Sequence, residues 1–177
     1  MTKEDFKKVI IENYKKGKKI VLVNIGTEKY IGDSFAPLLG SMLMNQISII
    51  KVYGTLNDTI NGINLSNKIE YINKMHENDF IVGIDCAISN SYENCQKDFV
   101  ILNEPLVPGE GVDVELPKVG SICIHFCIAS ESGDIFEDLK RPTIKDIYNR
   151  SKQAAEFIFD LDDELSRIKI YMDNKPK

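Results

Sequence analysis

Two carboxylates, Asp33 and Asp85, are the residues of this sequence best placed to do chemistry. Asp33 closes a polar loop, Gly26 to Asp33, behind the apolar run Ile20-Val21-Leu22-Val23. Asp85 follows directly on Ile81-Val82-Gly83-Ile84. If both runs are buried parallel strands, both acids reach the rim beyond the strands' carboxyl ends, where open α/β sheets bind ligands. Burial raises a carboxylate's pKa, and a second carboxylate nearby raises one of the two further. A pair sharing one proton can activate water with one member and protonate a leaving group with the other. Two plainer roles stand beside this one. Asp33 precedes a helix and can serve as its N-cap, and Asp85 can cap a turn through backbone amides.

Other constellations carry less. The loop from Gly26 to Asp33 lacks Gly-x-Gly-x-x-Gly spacing, and an Asp stands where a P-loop carries Lys. Glu28 and Asp33 would also repel phosphate. Cys123, His125 and Cys127 alternate, so on a strand they share one face. At ~3.3 Å per residue the outer sulfurs stand roughly 13 Å apart, whereas zinc holds its ligands at about 2.0–2.3 Å. Core packing is the better account of these cysteines; His125 faces the site or is a hydrogen-bonded core histidine. His76 reads as a partner for the negative end of its helix, and the stretch Asp160 to Glu164 as a solvated helix face.

The elements that must position these groups follow from periodicity. A helix is expected over Thr2–Lys16, capped by Thr2, with Phe6, Val9, Ile10 and Tyr14 on one face. Strands follow at Ile20–Ile25, Ile49–Tyr53, Phe80–Ile84 (ending in Asp85), Phe99–Leu102 and Ser121–Ile128. Between them lie a helix with Pro37 in its first turn and another over Leu65–Glu77. A last helix after Pro142 carries a stripe of Ile144, Ile147, Tyr148, Ser151, Ala155, Ile158 and Leu165. The order α-β-α-β-α-β-β-β-α implies right-handed crossovers and a mostly parallel sheet covered on both faces. No linker or repeat divides the chain, so one domain spanning residues 1–177 is expected.

Composition narrows the partners. The 177 residues are 43% hydrophobic and 28% charged, enough apolar mass for a core and too much for disorder. Lys plus Arg number 22 against 27 Asp plus Glu, and the net charge of −5 argues against a nucleic-acid partner. The first twenty residues mix charge with apolar side chains, unlike a signal peptide, and no run approaches the ~18 apolar residues of a membrane span. The expectation is a soluble cytoplasmic protein without a membrane partner, whose four cysteines (Cys86, Cys95, Cys123, Cys127) are reduced thiols.

Those same residues carry a family resemblance. Ile25-Gly26-Thr27, Gly32-Asp33-Ser34 and Pro37-Leu38-Leu39-Gly40 resemble the opening signature of the YyaC-like sporulation proteins. Val52-Tyr53-Gly54-Thr55-Leu56 resembles that family's second block, and Ile84-Asp85-Cys86 its strand end. Pro108-Gly109-Glu110-Gly111-Val112 and Leu116-Pro117-Lys118-Val119-Gly120 resemble its late loop, so the likeness runs in order from Val21 to Ile128. The family is similar in turn to the germination protease of spore-forming bacteria and, more distantly, to hydrogenase-maturation endopeptidases. The resemblance implies a three-layer phosphorylase/hydrolase-like α/β fold and a sporulation-associated, aspartic-type peptidase.

Carried over, the catalytic aspartates are Asp33 and Asp85, and the substrate cleft is formed by Gly26, Thr27, Gly32 and the loop residues Pro108, Gly109 and Gly111. The implied substrate is a protein or peptide such as the small acid-soluble spore proteins, in the forespore or spore core. Hydrogenase-maturation enzymes carry Glu at the first acidic position and a histidine that helps hold nickel. Here Asp33 stands at that position and neither His76 nor His125 clearly fills the third, so no metal or other cofactor is expected. The alternative is a non-catalytic relative using the same acidic cleft to hold a peptide or divalent cation; a homo-oligomer is left open.

Overall fold

The computed structural model describes residues 1–89, 99–109 and 116–175. Helix α1 (Lys3–Lys15) begins at Thr2, whose hydroxyl accepts the Asp5 N–H while the Asp5 carboxylate returns to the Thr2 backbone. This reciprocal capping satisfies donors that a helix start otherwise leaves open. Phe6 and Ile10 are its buried residues. Strand β1 (Ile20–Asn24) is buried along its whole length. Then come α2 (Phe35–Leu43), β2 (Lys51–Tyr53), α3 (Leu65–Met75), β3 (Phe80–Ser89), β4 (Val100–Leu102) and β5 (Ile122–Ser130). A short α4 (Ile135–Lys140) precedes α5 (Ile144–Asp173).

The strands form one sheet in the order β2-β1-β3-β5-β4, parallel except for β4, which pairs antiparallel with β5. Strand alternation sends Ile20, Leu22, Val82, Ile84, Ile122 and Ile124 into one apolar cluster with α1, α2 and α5. Val21, Val23, Ile81 and Cys123 point the other way, against α3 and the segment bearing Leu106 and Val119. Helices on both faces of a mostly parallel sheet make the three-layer α/β arrangement that the alternating order implied.

Several elements differ from expectation. Strand β3 does not end at Asp85 but pairs with β5 through Ser89, with a register shift between Ala87 and Ile88. A carboxylate interrupts an apolar run in sequence, yet the ladder is made by backbone groups and passes through it. Helix α4 interrupts what reads as a loop; Asp134 starts it by accepting the Phe136 and Glu137 N–H groups. In α5, Ile147, Ser151, Ala155, Ile158 and Leu165 are buried, while Ile144 and Tyr148 of the expected stripe are 74% and 51% exposed. Cys86 and Cys123 are free thiols, but Cys127 is disulfide-bonded, against the expectation of reduced thiols. Cys95 lies outside the described residues. No helix among the described residues is long and apolar enough to cross a membrane.

His76 also departs from a simple helix-end role. It is 8% exposed, and its ring bridges the Tyr53 hydroxyl (2.9 Å) and the Asp79 carboxylate (2.7 Å). Asp79 in turn accepts the Lys19 N–H at 2.9 Å. The relay joins β2 and the end of α3 to the lead-in of β1, with the Tyr53–His76 and Lys19–Asp79 contacts spanning 23 and 60 residues.

Candidate active site

Asp33 lies in a single 3-10 turn, Gly32–Ser34, between β1 and α2. It is not the N-cap of α2: that position is Ser34, which makes no side-chain cap bond. The Asp33 carboxylate instead turns back and accepts the Thr27 N–H at 2.9 Å. Thus Thr27, expected at the substrate cleft, supports the acid through its backbone. The backbone of Gly26 permits this closure. Its φ is +149°, and a Cβ there would stand 2.2 Å from the Asp33 carbonyl oxygen. Gly32 performs a similar service toward α4, because a Cβ would meet Ile128 Cδ1 at 2.2 Å and the Leu139 carbonyl at 2.9 Å. A Gly26→Ala replacement is therefore expected to displace Asp33 and to cost about 2 kcal/mol of stability. Urea unfolding of the variant measures the loss, and the loop shift should be visible in the Thr27 amide resonance.

Asp85 reaches the same place from β3. It accepts its neighbour's N–H, Cys86, at 2.7 Å, and the Cys86 thiol donates to Asp33 at 3.5 Å. One oxygen of each carboxylate and the Cys86 sulfur all lie within 4.8 Å of one another, each residue half-buried. The two acids are thereby brought together, Asp85 from within β3 rather than from its end, and Cys86 joins them. Its signals in the sequence were its place directly after Asp85 and its share in the Ile84-Asp85-Cys86 block.

Electrostatics separates the two acids. Burial raises the Asp33 pKa, countered by the Thr27 N–H and the Cys86 thiol. Asp85 is pushed well above the ordinary carboxylate range, first by burial and then by the negative charge of Asp33. Two adjacent carboxyls out of bulk water cannot both ionise cheaply, and the upward push is greater on Asp85 than on Asp33. The Cys86 thiol is also pushed well up, by burial and then by both acids, which keeps it a neutral donor rather than a nucleophilic thiolate.

The remaining expected residues are His125 and the loop from Leu106 onward. His125 is the direct β5 partner of Asp85 and therefore points to the same face of the sheet. Its Nε2 lies 3.4 Å from the Cys123 sulfur. Burial and the charge of Glu104 push Cys123 up to about 11, so this pair is not an activated nucleophile. Leu106 packs over Gly83, two residues before Asp85 on that face. Pro108 is buried and Gly109 turns the chain at φ +79° just beyond it; Gly111 lies outside the described residues.

Fold and site together define an α/β protein with two neighbouring carboxyls, one on the loop after β1 and one within β3 of a mostly parallel sheet. Residues 1–157 match the family described as "Protein of unknown function (DUF1256)", and the chain belongs to that family. It is also similar to the "Uncharacterized protein YyaC" of Bacillus subtilis (strain 168), with 40% identity over 110 residues, covering 62% of this chain. The matched segment spans about half of that curated relative, 53% of its length.

Proposed function

We propose that this protein is a sporulation-associated peptidase resembling the spore germination protease, working on a protein or peptide by acid–base hydrolysis. The observation that carries this reading is the Asp33–Asp85 pair, two half-buried carboxyls with one oxygen each within 4.8 Å and both pKa values raised. In this reading Asp33 takes a proton from water as the water attacks the peptide carbonyl. Asp85 donates its proton as the amine leaves, and the Cys86 thiol orients Asp33 without reacting. Gly26, Thr27, Gly32, Pro108 and Gly109 then border the substrate, and the forespore or spore core is the place of action. The test is digestion of small acid-soluble spore proteins with products read by mass spectrometry. Discrete fragments are expected; intact substrate at every time point counts against the reading.

A second reading, a non-catalytic cation-binding protein, is favoured by the same donor set, because two carboxylates and a thiol are near enough for one ion. Thermal shift against a panel of divalent metals separates the two. Stabilisation lost equally in Asp33→Asn and Asp85→Asn supports the cation, and cleavage without any metal effect supports the peptidase.

A further inference from the structure

An aromatic pair joins the loop that carries Asp33 to α4. Tyr30, three residues before Asp33, stacks on Phe136 of α4 with ring centroids 5.7 Å apart and planes tilted by 40°. Phe136 is nevertheless 49% exposed. Both halves are anchored to the site. The Tyr30 carbonyl accepts the Ser34 N–H at 3.0 Å, directly beside Asp33. Helix α4 is pinned by Asp138, 1% exposed, which accepts from the Ser132 N–H and hydroxyl and from Arg141. Arg141 also donates to the Ser130 carbonyl at the end of β5. The absent side chain of Gly32 lets the Leu139 backbone close onto the Asp33 loop. Rigid exposed aromatic area next to a site is a low-entropy way to seat an apolar side chain.

The surroundings of the pair carry excess negative charge. Residues 131–138 include Glu131, Asp134, Glu137 and Asp138 and no basic residue. Nearby Lys140 is engaged by Glu137 at 2.6 Å and Arg141 by Asp138 at 2.7 Å, so two acidic charges remain over. On the Tyr30 side, Glu28 and Lys29 cancel.

We propose that the Tyr30–Phe136 ledge is the specificity subsite of the carboxylate pair and takes a large apolar side chain flanked by basic residues. This rests on the peptide reading of the Asp33–Asp85 site. Phe136 supplies the open ring face, Tyr30 backs it, and the acidic margin draws cationic neighbours of the bound side chain.

The test uses two fluorescent peptides, Gly-Gly-Lys-Phe-Lys-Gly-Gly and its counterpart with Ala for Phe, titrated by anisotropy into the full chain carrying Asp85→Asn. The Phe peptide should bind about tenfold tighter. Adding Phe136→Ser or Tyr30→Ser should remove that preference, and salt should weaken binding of the Phe peptide. Equal affinities, binding of neither peptide, or a preference that survives both substitutions would overturn the proposal. So would a dimer that Phe136→Ser dissolves, which would make the ledge a contact between copies. Turnover by the native chain is scored separately. Cleavage indifferent to the Phe side chain sinks the ledge and spares the peptidase, whereas selective binding without cleavage does the reverse.

Discussion

Replacing Asp85 with Asn is expected to lower peptide turnover by about a thousandfold, the scale of losing a positioned general acid, while leaving the fold intact. Asn is nearly the same size and its carbonyl oxygen can still accept the Cys86 N–H, which Asp85 holds at 2.7 Å. What disappears is the titratable carboxyl whose pKa burial and the Asp33 charge raise. Stability should change in the opposite sense to activity. A carboxyl whose pKa is raised in the folded state binds more protons there than in the unfolded chain, so its contribution is greatest in acid. That contribution is lost as pH rises from about 4, the unfolded value, through the raised folded value. The variant has no such loss. It should therefore be more stable than the native chain at neutral pH, with the gap closing as pH falls toward about 4. Paired urea titrations across pH check this, and a native chain whose stability rises steadily with pH over that window would contradict the raised pKa.

Asp162→Ala is expected to cause the largest stability loss of any single change at a polar residue discussed above. Asp162 is 4% exposed, and its two oxygens accept the N–H groups of Ser48, Ile49 and Ile50 at 2.8–2.9 Å. Three consecutive backbone donors from the approach to β2 thus end on one carboxylate of α5. Removing it leaves them without partners in a largely water-poor place, at a cost of about 4 kcal/mol. For a chain of this length that corresponds to a fall in Tm of about 10 °C. Asp162→Asn should recover part of the loss, since its carbonyl oxygen can satisfy some of these donors. Thermal unfolding of the two variants side by side measures both effects. Asp162 lies beyond residues 1–157 that match the family, so this clamp belongs to the part of α5 outside the matched segment.

These two residues mark what was legible in the sequence. Asp33 and Asp85 stand out because one closes the loop behind an apolar run and the other directly follows one, and such runs read as buried strands. Asp162 does not stand out. In sequence it sits among Asp160, Asp163 and Glu164 and reads as a solvated face; the amides that need it lie 112 to 114 residues away. The same distance problem hid the role of His76, whose Tyr53 partner is 23 residues distant. Helix α4 was missed for another reason: six residues are too few for periodicity to register, and its anchor is the buried contact of Asp138 with Ser132 and Arg141.

The amino-acid order by itself determined the α/β class, the capped helix at Thr2 and the apolar strands, and it singled out Asp33 and Asp85. These depend on local backbone preference and on periods of 2 and 3.6 residues, which neighbours in the chain express without knowledge of the fold. Only the tertiary structure decided that Cys86 donates to Asp33 across 53 residues and that β3 runs on past Asp85. It also decided that burial and the Asp33 charge raise the Asp85 pKa. Each of these is set by burial and by partners brought together through packing, and a carboxylate's chemistry depends on that environment rather than on its place in the chain.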